Sequence, residues 1–298
     1  MHYSDTSINF DPIETNLIYE FDPITHTNND ENRAEFTYSP HSGTTYTTTL
    51  EDFNWVSNGY LGDEALTFNG DAVMRINVPV LITNVAGTDI NDTPTSHGRT
   101  IEFEYEVNSV TDINAPIITY FNNSNVVEGT DTSTKTGVGF EITPQNCYLI
   151  SEAKSVVTDK KGFIHNEDDI AAAYLSEGSR LRVSFVIEAV GTHQTGAGNN
   201  AQTVNIYING QYANSCPYDG ASELFTVPAD ADCKITIGND SSILKLYDVR
   251  IYNRGLTEAE ILQNYVTSPL LRRDKLTRIR ENDLLTANQQ EIDYYKAR

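Results

Sequence analysis

Glu102, Glu104 and Glu106 alternate with Ile101, Phe103, Tyr105 and Val107, so three carboxylates share one face of a strand and the apolar side chains share the other. Same-face neighbours on a strand stand about 7 Å apart, a separation that excludes neither stereochemical course of a two-carboxylate glycoside hydrolysis. The plainer reading is a solvated outer face, and that is the expectation adopted. His2, His26, His41, His97, His165 and His193 are scattered, with no His-x-His or metal-pair spacing. No Gly-x-Ser-x-Gly elbow occurs. Gly196-Ala197-Gly198 has the glycines of a phosphate loop without its Lys or following helix. Aromatics beside polar loop sequence offer a different chemistry, because sugars stack their C–H faces on rings while Asn, Asp and Gln close the hydroxyl network. Trp55, Tyr60, Tyr120, Tyr148 and Tyr218 fit that description, although each is also an ordinary candidate for a core or interface aromatic. Cys147, Cys216 and Cys233 form an odd set without CxxC spacing, which argues against zinc and against a disulfide framework. Cys216 and Cys233 have the separation of a cross-hairpin pair, but buried thiols are the preferred reading.

The elements that must position these residues are short strands. Arg180–Glu188 alternates Leu181, Val183, Phe185 and Ile187. Thr203–Asn209 places Val204, Ile206 and Ile208 on one face, and Asn209-Gly210 supplies a type I′ turn into Gln211–Asn214. Ile243–Tyr252 reads as a strand with an irregularity near Asp248. Further strands are expected at Leu17–Phe21, Ala65–Phe68, Ala72–Val78, Pro116–Phe121, Gly137–Ile142, Cys147–Ser151 and Lys234–Ile237. Thr25–Glu31, Asn84–His97, Asn122–Thr136 and Gly191–Gln202 read as polar surface loops. Thr257-Glu258-Ala259-Glu260 is a capping box that opens a short helix through Tyr265, and Pro269 stops it. Leu270, Leu271, Leu276, Ile279, Leu284 and Leu285 then have the spacing of a second, amphipathic helix.

Composition bounds the partners. The 298 residues carry 20 basic and 42 acidic side chains, a formal net charge of −22, which argues against nucleic acid and anionic membrane surfaces. No apolar run reaches membrane-spanning length, and Met1–Glu20 shows neither the basic nor the apolar region of a secretory signal. Seventeen Tyr and eleven Phe exclude a disordered chain. Residues 268–298 hold seven basic against five acidic residues, whereas the first 267 carry a net −24. That break predicts an N-terminal arm at 1–14, a β domain at 15–267 and a helical connector at 268–298.

Three clusters carry a resemblance to a known family. They are Val204-Asn205-Ile206-Tyr207-Ile208-Asn209-Gly210, Ile235-Thr236-Ile237-Gly238, and Leu246-Tyr247-Asp248-Val249-Arg250-Ile251-Tyr252-Asn253-Arg254-Gly255-Leu256-Thr257 with Glu260-Ile261. Together with Gly62-Asp63-Glu64-Ala65-Leu66-Thr67-Phe68-Asn69-Gly70-Asp71 upstream, they resemble the laminin-G-like, concanavalin-A-like lectin/glucanase superfamily over residues 15–265. The resemblance implies an all-β jelly-roll β-sandwich of two antiparallel sheets, here with a C-terminal helical extension. Its flavour is similar to versions found in bacteriophage structural proteins, where such a module sits before a helical connector in a longer chain. The glucanase branch implies a structural calcium at Asp248, for which Asp22 and Asp63 are the candidate partners. The alternative is that Asp248 pairs with Arg250 or Arg75, or caps a bulge. The branch's catalytic pattern Glu-x-Asp-x-x-Glu is absent, since the strand has Glu102-x-Glu104-x-Glu106 followed by Asn108 and Ser109.

The expected function is therefore non-catalytic recognition of a host-surface glycan by a phage virion protein. The expected surroundings are other virion proteins, with a homo-oligomer as an option. Two rivals stay open: a purely architectural virion domain without ligand, and a glycan-cleaving enzyme. Fold alone does not choose among them.

Overall fold

A computed structural model describes residues 12–24, 35–41, 44–53, 64–78, 98–121, 137–152, 158–162, 178–188, 193–195, 199–218 and 234–269. The strands are β1 (Leu17–Phe21), β2 (Glu35–His41), β3 (Thr44–Glu51), β4 (Leu66–Phe68), β5 (Val73–Asn77), β6 (Arg99–Val110), β7 (Ile118–Phe121) and β8 (Gly137–Ile142). They continue as β9 (Cys147–Glu152), β10 (Thr158–Gly162), β11 (Arg180–Ile187), β12 (His193–Thr195), β13 (Asn199–Ile208), β14 (Gln211–Tyr218), β15 (Lys234–Ile237) and β16 (Ser242–Tyr252). Among the described residues one helix, α1, covers 258–269.

Every pairing among these strands is antiparallel. The first sheet runs β1-β16-β6-β11-β13-β12, with β14 added to β13 and β4 to β16; the second runs β10-β9-β8-β7-β15-β5-β3-β2. The alternating apolar residues of both sheets meet in one core. Phe140 of β8 stacks on Phe185 of β11 with ring centroids 4.5 Å apart and on Tyr120 of β7 at 5.3 Å. Tyr19 of β1 reaches across to the Thr48 hydroxyl of β3 at 2.7 Å. The fold is thus an all-β sandwich of two antiparallel sheets, as the alternation predicts.

The hairpin turn at Asn209-Gly210 has φ of +52° and +78°, as a type I′ turn requires. A Cβ on Gly210 would sit 3.0 Å from Leu262 and 3.2 Å from Tyr265, so this turn is also the seat of α1. Gly238, at the end of β15, has φ of +104°, and a Cβ there would lie 2.4 Å from the Ala72 carbonyl oxygen. The Ile-Gly signature therefore marks a backbone crossing that only glycine allows.

Three readings need correction. The hairpin β2–β3 was not expected; its Thr44–Thr49 stretch is rich in β-branched residues, a strand signal that lacks apolar alternation. Gly191–Gln202 was expected as loop, but β12 pairs with the first residues of β13 inside it. The helix continues past Tyr265 to 269. The expected second helix at 270–285 lies outside the described residues, as do most of the N-terminal arm and the connector.

Candidate functional site

The site grows from one central strand. In β6 the apolar positions Ile101, Phe103 and Tyr105 face the core, which turns Glu102, Glu104 and Glu106 to the opposite face of the sheet. Register then decides their partners. Arg180, Arg182 and Ser184 of β11 stand opposite Glu106, Glu104 and Glu102. On the other side, Asp248 and Arg250 of β16 stand opposite Glu104 and Glu102. A register shift between Leu246 and Asp248 gives β16 the irregularity expected there, and it puts Tyr247, Asp248 and Arg250 on the outer face while Val249 and Ile251 return to the core.

This face is not solvated, and the expectation of a solvated glutamate face is corrected. Glu102 is 0 % and Glu104 4 % exposed. The cause is α1, which lies across the outer face on a second small apolar cluster of Val186, Tyr207, Tyr252, Leu256 and Ile261. A capping box fixes where the helix begins. Thr257 N–H donates to Glu260 Oε2 at 2.8 Å, and Glu260 N–H donates to Thr257 Oγ1 at 3.4 Å. Arg254 grips the same carboxylate with two bonds of 2.7 and 2.8 Å. Hydrogen bonding from Arg254 is the main cause that lowers the Glu260 pKa to about 2.

Burying carboxylates costs several kcal/mol each unless they are compensated, and Arg182 supplies the compensation. Its side chain is 1 % exposed. It donates through Nη2 to Glu102 at 3.0 Å, and through Nη1 to Glu104 at 2.9 Å and to Asp248 at 3.1 Å. Burial opposes its charge, yet Glu102, Asp248 and Glu104 outweigh that penalty and hold the guanidinium well above its ordinary pKa. Glu102 also accepts from Ser184 Oγ at 2.9 Å and from Asn264 Nδ2 of α1 at 2.7 Å. Asn264 accepts in turn from Ile13 N–H at 2.8 Å, so it ties helix, sheet and the residues before β1 together. Arg250 sits between Asp248 at 3.2 Å and Glu20 at 2.9 Å. Arg180 is spread over Glu104 at 2.6 Å, Glu64 at 2.9 Å and the face of the Tyr247 ring at 3.6 Å. Glu106, at the edge of the group, accepts from Tyr247 Oη at 2.8 Å, Asn108 Nδ2 at 2.8 Å and Lys245 Nζ at 3.2 Å.

Chemically, each of these carboxylates is an acceptor already engaged by fixed donors. A general acid must instead hold a proton to give, and a nucleophile must present a bare oxygen to its substrate. What the arrangement does leave open is a cleft of about 350 Å³ at the C-terminal end of α1, lined by Glu104, Arg180, Leu181, Arg182, Tyr265, Val266 and Pro269. One wall is charged and comes from β6 and β11. The other is apolar and comes mainly from the helix, where Val266 is 50 % and Tyr265 36 % exposed.

Of the sequence candidates for calcium, Asp248 meets Arg182 and Arg250, so the pairing alternative with Arg250 describes its contacts; Arg75 instead meets Glu51. Asp22 is buried at the end of β1 and accepts from Ile24 N–H at 3.0 Å. Asp63 lies outside the described residues. Among the described residues no group of three His, Cys, Asp or Glu is placed to hold a metal ion. Of the aromatic candidates, Tyr120 is wholly buried and stacked on Phe140, which takes it out of any platform facing solvent. Tyr148 and Tyr218 lie on β9 and β14, with side chains outside the described set, and Trp55 and Tyr60 fall outside it altogether. Arg180, Arg182, Asn264 and Tyr265 were not singled out from the sequence. For the two arginines the signal was the polar phase of Arg180-Leu181-Arg182-Val183-Ser184, opposite in sign to that of β6.

These features define the class: an antiparallel β-sandwich with one helix docked over a buried ion-pair network on the outer face of a sheet. No known family profile matches the sequence, and no curated protein does. Solved structures do. The receptor-binding domain of botulinum neurotoxin C/D mosaic serotype is similar with a TM-score of 0.50 and 14 % identity, over 85 % of this chain and 51 % of that one. The binding domain of botulinum neurotoxin serotype D gives 0.46 and 13 %, over 78 % and 50 %. The serotype D ligand-binding domain in complex with N-acetylneuraminic acid gives 0.46 and 14 %, over the same shares. The chain spans about half the length of these structures. At 14 % identity the likeness to the C/D mosaic domain speaks to fold alone, and the fold it supports is the sandwich described above.

Proposed function

We propose that this chain is a non-catalytic glycan-recognition module, of the laminin-G/concanavalin-A kind, within a bacteriophage virion protein. The cleft beside α1 carries the reading. It sets an exposed tyrosine and an apolar wall against guanidinium and carboxylate groups, the pairing of surfaces that a sugar ring with its hydroxyls requires. The engaged state of Glu102 and Glu104 supports recognition over cleavage, because Arg182 holds both as permanent acceptors. The C/D mosaic neurotoxin domain, a receptor-binding domain of similar fold, adds support for a binding role. The virion setting rests on the sequence resemblance.

Calorimetric titration with bacterial surface-polysaccharide fragments tests the reading, run with calcium and then with excess chelator. Saturable heat in both conditions is the expected result, since Arg182 and Arg250 both meet the Asp248 carboxylate at Oδ2. Loss of binding on chelation would restore the calcium reading of Asp248. No heat with any fragment would overturn recognition and favour an architectural role. That second reading draws on one observation, the exposed Leu262 and Val266 on α1, 47 % and 50 % accessible.

A further inference from the structure

Charge accounting at the cleft narrows its ligand, and this step rests on the glycan-recognition reading above. Two guanidinium groups line the cleft, Arg180 and Arg182, yet neither presents an uncompensated charge. Arg182 is shared among Glu102, Glu104 and Asp248, and Arg180 between Glu104 and Glu64. The two therefore face four carboxylates, and including Arg250 with its partner Glu20 makes three guanidinium groups against five. A ligand carboxylate entering here would meet a local excess of negative charge in a chain whose net charge is −22. A hydroxyl suits the same wall, because it accepts from guanidinium N–H and donates to carboxylate at once. Arg180 Nη2 and Arg182 Nε are buried N–H groups without a hydrogen-bond partner among the described residues. Arg180 is the more exposed of the two side chains, at 29 % against 1 % for Arg182. Opposite stand Tyr265, Val266 and Pro269 of α1, a wall with no charged group. The volume, about 350 Å³, is at the small end of ligand sites and suits one sugar unit, not a long chain segment.

We infer that the cleft takes an uncharged sugar unit of the 6-deoxyhexose kind. Its hydroxyl edge lies on Arg180 and Glu104, and its ring face and methyl lie on Tyr265 and Val266. Charged sugars such as uronates and N-acetylneuraminate are disfavoured by the same carboxylates that hold Arg182 in place.

The test is an NMR titration of the full chain, methyl-labelled at Leu and Val. The probes are methyl α-L-fucoside, methyl α-L-rhamnoside, methyl α-D-glucoside, methyl β-D-glucuronide and N-acetylneuraminic acid. The expected result is that a 6-deoxyhexoside shifts the Val266 methyls saturably. It should bind at least tenfold more tightly than either acidic sugar, and lose at least tenfold in Tyr265→Ala. Thermal melting checks that this variant is folded, and Val266→Thr, which keeps the shape and removes one methyl contact, provides a second variant expected to weaken binding. Equal or tighter binding of the glucuronide or N-acetylneuraminate overturns the inference and leaves glycan recognition standing. Saturable binding that leaves the Val266 methyls unmoved overturns the cleft as its site. Binding of none of these, when surface polysaccharide also gives no heat, overturns both readings together.

Discussion

Replacing Arg182 by Met tests whether the outer-face carboxylates are structural. The substitution keeps most of the aliphatic stem and removes a guanidinium that meets three carboxylates at 2.9 to 3.1 Å. The three losses are unequal. Glu104 keeps Arg180 at 2.6 Å, and Asp248 keeps Arg250 at 3.2 Å. Glu102, fully buried, keeps only the neutral donors Ser184 and Asn264. The cost is therefore close to that of one uncompensated buried carboxylate, about 3–5 kcal/mol, and not three times that. Against a typical domain stability of about 5–15 kcal/mol, Arg182→Met should still fold but lose a large part of its margin. Urea unfolding followed by tryptophan fluorescence and circular dichroism reads this as a lowered midpoint at unchanged slope. The decisive arm is Arg182→Met with Glu102→Gln, which removes the stranded charge and keeps hydrogen-bonding capacity. It should recover at least half of the loss, as a double-mutant cycle reports. A single variant that loses less than about 1 kcal/mol, or a double variant with no recovery, would refute the reasoning that burial under α1 makes these charges interdependent.

Other outcomes follow from single positions. Glu260→Gln should lower stability by about 1–2 kcal/mol near neutral pH, through the capping box and the Arg254 pair. Because the Glu260 pKa falls to about 2 in the folded state, this contribution is present above the unfolded value and is lost as pH falls toward 2. Wild-type and variant melting curves should therefore converge in acid, and a gap that stays constant down to pH 2 would contradict it. Gly238→Ala places a Cβ 2.4 Å from the Ala72 carbonyl at a φ of +104°. It should cost about 2–4 kcal/mol by chemical denaturation, and a near-neutral result would mean that this crossing is loose. Cys147 is wholly buried, and burial pushes its thiol up to about 12. Peptide mapping after alkylation at pH 8 should find Cys147 unmodified in the native protein and modified in urea; prompt native labelling would contradict its burial.

Much of the sandwich is legible in the sequence because its strands bury one face and show the alternation openly. β6, β11, β13 and β16 declare themselves through Ile101-x-Phe103-x-Tyr105, Leu181-x-Val183-x-Phe185, Val204-x-Ile206-x-Ile208 and the Leu244 to Ile251 run. The turn at Asn209-Gly210 and the capping box at Thr257–Glu260 are local chemistry and need no tertiary information. Sequence period says which residues share a face, but not what covers that face. The glutamates of β6 look solvated until α1, over 150 residues later, is laid across them. Their partners depend on register, which sets Arg182 against Glu104 and Arg250 against Glu102. The readable sign was the opposite polar phase of adjacent strands. Tyr265 carried no such sign, since a tyrosine near the end of a short helix looks the same whether it packs inward or lines a cleft.

The most direct test of non-catalytic recognition pairs binding with chemistry on one substrate. The purified chain and its Glu104→Gln variant are incubated with the same surface polysaccharide while bound ligand and new reducing ends are both followed in time. The account predicts saturable binding by the wild-type chain, with the polysaccharide recovered intact and no new reducing ends from either protein. Release of reducing ends by the wild-type chain, abolished in Glu104→Gln, would contradict it and make the cleft an active site.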